Sequence, residues 1–331
     1  MGADPSVGAI GPHSRVVVTG GAGFLGRAVV RRLVERGVPA GSILAVRSKE
    51  YDLRDAGACR RLFAAADGGG AASHIIHCAG LVGGLGLNRS RPADILHDNL
   101  LMGLNIIHAA VESGLVRRAG RIAVVGSMTS YPADAPLPYR EESLFGGLPD
   151  AEIASYGVSK LALLQHLRAC ARQHGLRSVM PVLVNLYGPG DNMDDPAVSH
   201  VAGALIKRFV DAADRGESEV VCWGTGAPTR DFIYVDDAAE GVVRAVEAID
   251  DASAVNIASG REVSIRDLAE AIGRASGFGG AITWDVAKGD GVSRRCLDIS
   301  RARRVLGWEP RTALADGLVQ TIAWYRQARI T

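Results

Sequence analysis

Short apolar runs alternate along the first half of the chain with longer segments in which apolar residues recur every three or four positions. The apolar runs have the length of buried strands, and they lie at residues 16–18, 43–46, 75–77, 122–125 and 179–184. The longer segments, at residues 93–112 and 151–174, have helical periodicity. Strands that alternate with helices in this way predict an α/β fold with a doubly wound parallel sheet.

A glycine-rich turn joins the first apolar run to an amphipathic segment at residues 27–35. Strand, turn and helix come in the order of a dinucleotide-binding site, which predicts a Rossmann-type domain. The turn needs glycine because the backbone must bend sharply, approach a pyrophosphate closely and pack the helix on the strand. The candidate cofactor contacts in this turn are Gly20, Gly23, Phe24, Leu25 and Gly26, and those after the third strand are Ala79 and Gly80.

The pattern becomes less regular after residue 185. A glycine-rich loop opens at residues 188–192, and helices are then interspersed with short strands at residues 219–222 and 281–284. This change predicts a second, smaller lobe that closes over the cofactor domain.

Three regions follow from these patterns. We expect a flexible arm at residues 1–13, an NADP-binding Rossmann domain at residues 14–184 with returning segments around 232–262, and a mainly substrate-binding α/β lobe at residues 185–331. A glycine run at residues 67–70 predicts a loop before the third strand.

Composition limits the possible partners and compartment. The 331 residues are 47% hydrophobic and 22% charged with a net charge of +1, which favours neither nucleic acid nor an anionic membrane as a partner. No apolar run reaches the ~18 residues of a membrane span, and the start lacks a signal-peptide pattern, so we expect a cytoplasmic protein. The five cysteines are scattered without a Cys-x-x-Cys pair and predict reduced core thiols, with no metal site.

A second motif suggests acid–base chemistry. Tyr156 and Lys160 lie one helical turn apart on the same face of a predicted helix. A tyrosine hydroxyl has a pKa near ~10, and a neighbouring ammonium lowers it by favouring the phenolate. Ser127 follows a predicted strand, where a parallel sheet presents residues to the cofactor crevice. A tyrosine and a lysine at this spacing also occur as ordinary surface residues, and Ser127 favours the functional interpretation.

The glycine turn, Ser127, Tyr156 and Lys160 together resemble the extended short-chain dehydrogenase/reductase superfamily, whose members mostly act on nucleotide sugars. The resemblance extends over residues 15–325. Further segments, at 105–110, 177–181, 185–189, 191–192, 199–201, 223–224 and 288–291, are similar to the GDP-L-fucose synthase family of 3,5-epimerase/4-reductases.

The resemblance implies a role for each matching residue. Ser127 would hydrogen-bond the C4 oxygen of the sugar, Tyr156 would give that oxygen a proton, and Lys160 would lower the tyrosine pKa and hold the nicotinamide ribose. His200 would be the general acid of epimerisation, although its polar loop is also typical of an exposed histidine. The implied contacts with the nucleotide sugar and the nicotinamide end of the cofactor are Asn185, Leu186, Arg208, Trp223, Arg230 and Lys288. Trp223 could alternatively pack in a core beside Cys222.

One residue departs from the family pattern. Thr129 stands two residues beyond Ser127, where the epimerase/reductases carry a cysteine base. A thiol ionises far more readily than an alcohol, so removal of a proton beside the sugar ketone is poorly supported here. Hydride transfer needs only Ser127, Tyr156, Lys160 and the nicotinamide. We therefore place reduction ahead of epimerisation.

The end of the second strand bears on cofactor choice. Arg47, Ser48 and Lys49 offer two cations and a hydroxyl, which suit the 2′-phosphate of NADP(H) rather than the free ribose of NAD. Glu50 argues the other way, and a solvated charged loop is the plain alternative. Asp52 and Leu53 resemble the adenine contact of the family.

Three functions remain open on this evidence. The first is an NADPH-dependent 4-keto reductase of a GDP-linked deoxysugar, and the second is a nucleotide-sugar epimerase that recycles its nicotinamide or needs no net redox. The third is a catalytically silent NADP sensor, against which the intact tyrosine and lysine argue. Apolar residues on more than one face of the helices at 93–112 and 151–174 predict a homodimer, the assembly that the family resemblance also implies.

Overall fold

The computed structural model of the chain describes residues 8–67, 71–195 and 199–329. The strands are β1 (Val16–Thr19), β2 (Ile43–Val46), β3 (His74–His77), β4 (Arg121–Val124), β5 (Gly126–Ser127), β6 (Arg177–Leu183), β7 (Asn185–Tyr187), β8 (Glu219–Trp223), β9 (Thr229–Tyr234), β10 (Asp251–Ile257), β11 (Glu262–Ser264), β12 (Ala281–Asp285) and β13 (Arg294–Arg295). The α-helices are α1 (Phe24–Glu35), α2 (Ala56–Asp67), α3 (Leu85–Ser90), α4 (Pro92–Glu112), α5 (Ala154–His174), α6 (Val201–Arg215), α7 (Val235–Ala248), α8 (Ile265–Ser276), α9 (Ser300–Leu306) and α10 (Leu314–Ala328). Short 3₁₀ segments lie at Ala40–Ser42, Val116–Arg118, Met128–Ser130, Glu141–Phe145 and Val286–Lys288.

The main sheet confirms the predicted parallel, doubly wound α/β fold. Its strands run in the order β10-β6-β4-β3-β1-β2, with β5 beside β6, and every pair is parallel. Strands β1, β3 and β4 are buried throughout, as expected of a sheet covered by helices on both faces. From β2 the chain crosses back over β1 to β3, so a crevice opens between the carboxyl ends of β1 and β3.

A second core forms the smaller lobe. Strand β9 lies between β11 and β13 and also pairs with β7, while β8 and β12 make a separate parallel pair. Helices α6, α8 and α10 close this core through Phe209, Ile272 and Leu318, each almost inaccessible to solvent. The chain crosses between the two cores more than once, because α7 and β10 return to the main sheet before the lobe is completed.

The described part of the predicted arm, residues 8–13, contacts the main core. Residues 1–7 and 68–70, the latter within the predicted loop at 67–70, lie outside the described residues. In the described part, Ile10 is 6% exposed in the main core, and its N–H donates to Glu247 Oε1 at 2.9 Å. The carbonyl of Gly8 accepts from His74 Nε2 at 3.1 Å. Burial of one isoleucine gives the segment an anchor that no periodicity over so few residues could reveal.

Candidate active site

The glycine turn has the close packing that its sequence predicts. Gly20 has a φ of +68°, and a Cβ there would lie 2.8 Å from the backbone N of Ala79. A Cβ on Gly26 would overlap the carbonyl oxygen of Gly20. Gly23, which lines the crevice, precedes α1 in an extended conformation, and the first turn of the helix, with Phe24 and Leu25, follows it without a side-chain cap.

The turn forms one wall of a crevice of ≈ 690 Å³. The other walls come from the ends of β2 and β3 and from α4, and the lining includes Arg47, Ser48, Lys49, Ala79 and Gly80. A crevice of this size at the carboxyl edge of the sheet suits a dinucleotide. The two cations and the serine hydroxyl stand at the β2 end, where the 2′-position of an adenosine ribose would lie.

Arg54 is a residue that the sequence reasoning missed in this crevice. Its guanidinium lies 2.8 Å from Asp52 Oδ2 and 3.1 Å from Asp98 Oδ2. Arg54 holds the pKa of Asp52 below its usual range, while a hydrogen bond from His97, with Arg54 in addition, lowers the pKa of Asp98. Asp52, expected at the adenine, therefore already accepts hydrogen bonds from Arg54. Leu53 is buried, and its carbonyl accepts from Asn105 Nδ2 at 2.9 Å. The Asp-x-Arg spacing was the available signal.

Ser127 ends β5, and its hydroxyl is held by the next turn of the chain. The N–H of Thr129 donates to Ser127 Oγ at 3.3 Å, and Thr129 Oγ1 donates to the same oxygen at 2.9 Å. Ser127 thus caps the 3₁₀ segment Met128–Ser130. Thr129 also lines a small cavity of ≈ 20 Å³ together with Tyr139, Asp150 and Arg295.

Helix α5 brings Tyr156 and Lys160 to this edge of the sheet. The ammonium of Lys160 lies 5.4 Å from the centre of the Tyr156 ring, on the same helical face. The helix approaches the Ser127 segment closely because residue 157 is glycine: a Cβ there would overlap the carbonyl oxygen of Thr129. Ser130 Oγ donates to the carbonyl of Gly157 at 3.2 Å across the same contact.

Burial governs the ionisation of the pair. It lowers the pKa of Lys160 to about 8 and raises the pKa of Tyr156. Desolvation of the phenolate causes this upward shift, which is opposite in direction to the lowering that we expected from Lys160. Tyr156 therefore keeps its proton at neutral pH, as a donor must.

His200 lies at the N-terminus of α6, where its carbonyl accepts from the N–H of Ala204 at 2.9 Å. His200 is half-buried, so the alternative of an exposed histidine is wrong, and desolvation lowers the pKa of its imidazole. Asp191 lies close to the first turns of α6. Its Oδ2 is 3.0 Å from where a Cβ on Gly203 would be. The sequence pointed to Asp191 only through its match to the family. Burial raises the pKa of Asp191 to about 7.

Three of the predicted sugar-nucleotide contacts form a cluster at the β8–β12 pair. Arg208 lies 5.6 Å and Lys288 5.8 Å from the ring of Trp223, which is 64% exposed. Core packing of Trp223 beside Cys222 is therefore wrong, since β8 alternates and turns Cys222 inward instead. An exposed indole flanked by two cations could stack on a base while the cations meet phosphates.

Arg230 belongs to a different part of the lobe. It pairs in register with Arg295 of β13, and burial together with the neighbouring Arg295 lowers the pKa of its guanidinium to about 10. Arg295 lies 3.5 Å from Asp150 and lines the cavity at Thr129, so Arg230 is on the Ser127 side of the lobe. Among the described residues, no hydrogen bond, ion pair or ring contact joins Arg230 to the Trp223 cluster.

Two further contacts fix the chain where it passes from the cofactor domain into the lobe. Asn185 Nδ2 donates to the carbonyl of Asp231 at 2.9 Å, which fixes β7, with Leu186 at its centre, on β9. Arg27, in the first turns of α1, donates to the carbonyl of Ala22 at 3.1 Å and to that of Gly190 at 2.7 Å. One guanidinium thus links the glycine turn to the loop that leads to His200.

A glycine turn at the first strand, a serine at a strand end and a tyrosine–lysine pair on the next helix define the extended short-chain dehydrogenase/reductase class of enzymes. The comparisons with known proteins agree. The chain belongs to the NAD dependent epimerase/dehydratase family, whose model matches residues 16–258. This confirms the predicted enzyme class.

Individual relatives and solved structures show which members of the family the chain is similar to. The chain is 36% identical to GDP-L-fucose synthase 1 of Arabidopsis thaliana, over 94% of this chain and 93% of that protein. It is 34% identical to the GDP-L-fucose synthase of Escherichia coli K12, over 94% and 96% respectively. A GDP-mannoheptose C4 reductase from Campylobacter jejuni, solved with NADP bound, superposes with a TM-score of 0.84 at 26% identity, covering 96% of this chain and 100% of that one. Bound NADP in that structure agrees with the predicted NADP(H).

Among the helices that the structure describes, none is both long enough and apolar enough to cross a membrane.

Proposed function

We propose that the protein is an NADPH-dependent reductase of a GDP-linked 4-keto-6-deoxysugar. The observation that carries the proposal is the hydrogen bond from Thr129 to Ser127. The position that holds a base in the epimerase/reductases is occupied here by a hydroxyl that donates toward the reduction site. The groups needed for reduction, Ser127, Tyr156 and Lys160, are all present on adjoining elements.

Each residue has a defined task in this reaction. NADPH in the crevice would supply the hydride that adds to the C4 carbon of the sugar. Ser127 donates a hydrogen bond to the C4 oxygen, and Tyr156 transfers its proton to that oxygen as negative charge develops. The ketone becomes an alcohol, one proton is taken up and NADP⁺ is left. Lys160, mostly charged at pH 7, holds the nicotinamide ribose and stabilises the phenolate that remains.

The lobe would bind the nucleotide. Trp223 offers a flat exposed surface for guanine, while Arg208 and Lys288 supply positive charge for the diphosphate. Arg230, with Arg295 beside it, would contact the sugar end, because this pair lies near the cavity at Thr129. The names of the relatives support a GDP-linked substrate for this site.

The decisive experiment measures NADPH oxidation with GDP-4-keto-6-deoxymannose and identifies the product. We expect one NADPH consumed for each sugar reduced, and Tyr156→Phe should lower the turnover number by ~10² to 10⁴-fold while the Kd for NADPH changes little. Near-normal turnover of the Phe variant would remove Tyr156 as the proton donor. No NADPH consumption by the unmodified protein would overturn the reductase proposal.

A nucleotide-sugar epimerase is the second candidate, and the half-buried His200 at the α6 N-terminus is the observation that favours it. Inversion needs removal of a proton from one face of the ring and delivery from the other, which His200 alone cannot provide. We expect C3 and C5 of the 4-keto sugar to remain unexchanged in deuterated water with NADP and no reductant. Rapid deuterium incorporation at either carbon would move epimerisation to first place.

We also propose a homodimer built on α4 and α5, which pack against each other in the chain. The sequence argument for the dimer needs a correction. Four of the apolar residues on these helices are fully buried within one chain and offer no apolar surface to a partner: Ile106, Ile107, Leu164 and Leu167. Support comes instead from the half-exposed leucines Leu100 and Leu161 on the same two helices.

A further inference from the structure

The hydroxyl of Ser127 is bonded twice by one residue. Thr129 reaches Ser127 Oγ with its backbone N–H at 3.3 Å and with its side-chain hydroxyl at 2.9 Å. Both bonds are local, since the two residues are joined through the 3₁₀ segment Met128–Ser130. Close packing of Gly157 against the carbonyl of Thr129 fixes that segment from the α5 side.

This arrangement limits what the serine hydroxyl can do. A serine hydroxyl has one proton to donate and two lone pairs with which to accept. When the Thr129 hydroxyl donates to Ser127, both lone pairs of Ser127 are filled and its proton is the group left for a substrate. A ketone oxygen, or the alkoxide that forms from it, can only accept a hydrogen bond. The Ser127 hydroxyl is therefore arranged as a donor for the C4 oxygen before the substrate binds.

Threonine suits this position better than the alternatives. Its β-branched side chain has few χ1 rotamers, so the hydroxyl direction is set by the backbone of the 3₁₀ segment. A cysteine there would be a weak donor, with a larger sulfur that favours a longer contact. The exchange of cysteine for threonine thus replaces a potential base by a hydrogen-bond donor.

We propose that Thr129 is a positioning residue for carbonyl reduction, which orients the Ser127 hydroxyl so that its proton is directed at the sugar C4 oxygen. The proposal rests on the reductase function proposed above. Thr129 touches neither hydride nor transferred proton and acts through Ser127.

The test compares Thr129→Val, which removes the hydroxyl at nearly constant shape, with Thr129→Ser, which keeps it. With GDP-4-keto-6-deoxymannose and NADPH, we expect the Val variant to lose roughly tenfold in kcat, about the effect of one lost hydrogen bond, with KM within about twofold. The Ser variant should stay within about threefold of the unmodified kcat. The Kd for NADPH should be the same in all three proteins.

A double-mutant cycle separates this role from a structural one. In a Ser127→Ala background, Thr129→Val should cause no further loss of kcat, because the residue through which it acts is gone. Full additivity of the two losses, or an unchanged kcat in Thr129→Val alone, would overturn the proposal and leave the reductase function standing. If the unmodified protein consumes no NADPH, the reductase function and the role of Thr129 fall together.

Discussion

The ammonium of Lys160 is 3% exposed, and burial brings its pKa from an ordinary value of 10.5 to about 8. Between these two values the unfolded chain binds more protons than the folded one, so stability rises with pH across that window. Below pH 8 the folded state carries the full cost of a buried charge. In the proposed reaction this cost is offset by the role of Lys160 in holding the nicotinamide ribose and stabilising the phenolate.

Lys160→Met should therefore stabilise the protein while abolishing turnover. We expect the free energy of unfolding at pH 7 to rise by up to about 3 kcal/mol, since each pKa unit corresponds to about 1.4 kcal/mol, and the gain to shrink as pH rises from 8 toward 10.5. Urea denaturation at several pH values measures it. Lys207→Met on α6 is the control, because it breaks ion pairs with Asp211 and Asp194 and should bring no gain. A destabilised Lys160→Met at pH 7 would contradict the argument.

Cofactor preference is a second property of single residues. Arg47→Asp replaces a charge-assisted contact with the 2′-phosphate by repulsion, so the Kd for NADP should rise about 10- to 100-fold and that for NAD much less. Isothermal titration of both cofactors checks this. Arg303→Asp on α9, away from the crevice, serves as the matched charge reversal. Equal binding of NAD and NADP by the unmodified protein would sink the assignment.

At the scale of elements, the contact between α5 and the 3₁₀ segment Met128–Ser130 aligns the site. Gly157→Ala places a methyl group against the backbone oxygen of Thr129, which can yield only if the helix moves. We expect a loss of roughly 1–3 kcal/mol in stability and a fall in kcat, with NADPH binding largely kept. Ser155→Ala, on the same helix, is the control. Normal turnover in Gly157→Ala would mean that the helix position is not critical.

Elements were predictable where one periodic pattern decides them. The strands at β1, β2, β8 and β12 were placed to within a residue or two, and α4 and α5 were recognised from their apolar spacing. The short β5 and β13 were missed, because two residues carry no period. Their pairing depends on neighbours distant in sequence, such as Gly126 with Val182 and Arg295 with Arg230.

The candidate site was predictable in composition and not in arrangement. Residue types and family motifs pointed to Ser127, Tyr156 and Lys160, and the structure brings their elements together. The sequence could not separate Arg230 from the cluster of Arg208, Trp223 and Lys288, because only the fold shows that Arg230 on β9 and Trp223 on β8 belong to different sheets. Nor could the sequence show that Arg54 donates hydrogen bonds to Asp52, because which side chains contact each other is determined only by the folded structure.

For the whole molecule, the property to be measured is the oligomeric state. We expect a homodimer by light scattering at micromolar concentration, formed through the outer face of α4 and α5. Ala162→Arg, at an exposed position of α5, should shift the protein toward monomer, since a buried unpaired charge is costly at an interface. Ala323→Arg, at an exposed position of α10, is the control and should leave the mass unchanged. A monomeric unmodified protein would refute the proposal.

The exposure of Trp223 has an optical consequence. Trp223 is the most solvent-exposed of the four tryptophans, and the side chains of Arg208 and Lys288 lie close to its ring. Indole emission depends on solvent and on neighbouring charge, so a base stacked on Trp223 should change both its wavelength and its intensity. The protein would then report occupancy of its nucleotide pocket by its own fluorescence, without a label and without turnover. Titration with individual nucleotides, followed by tryptophan fluorescence, would order them by their affinity for this pocket.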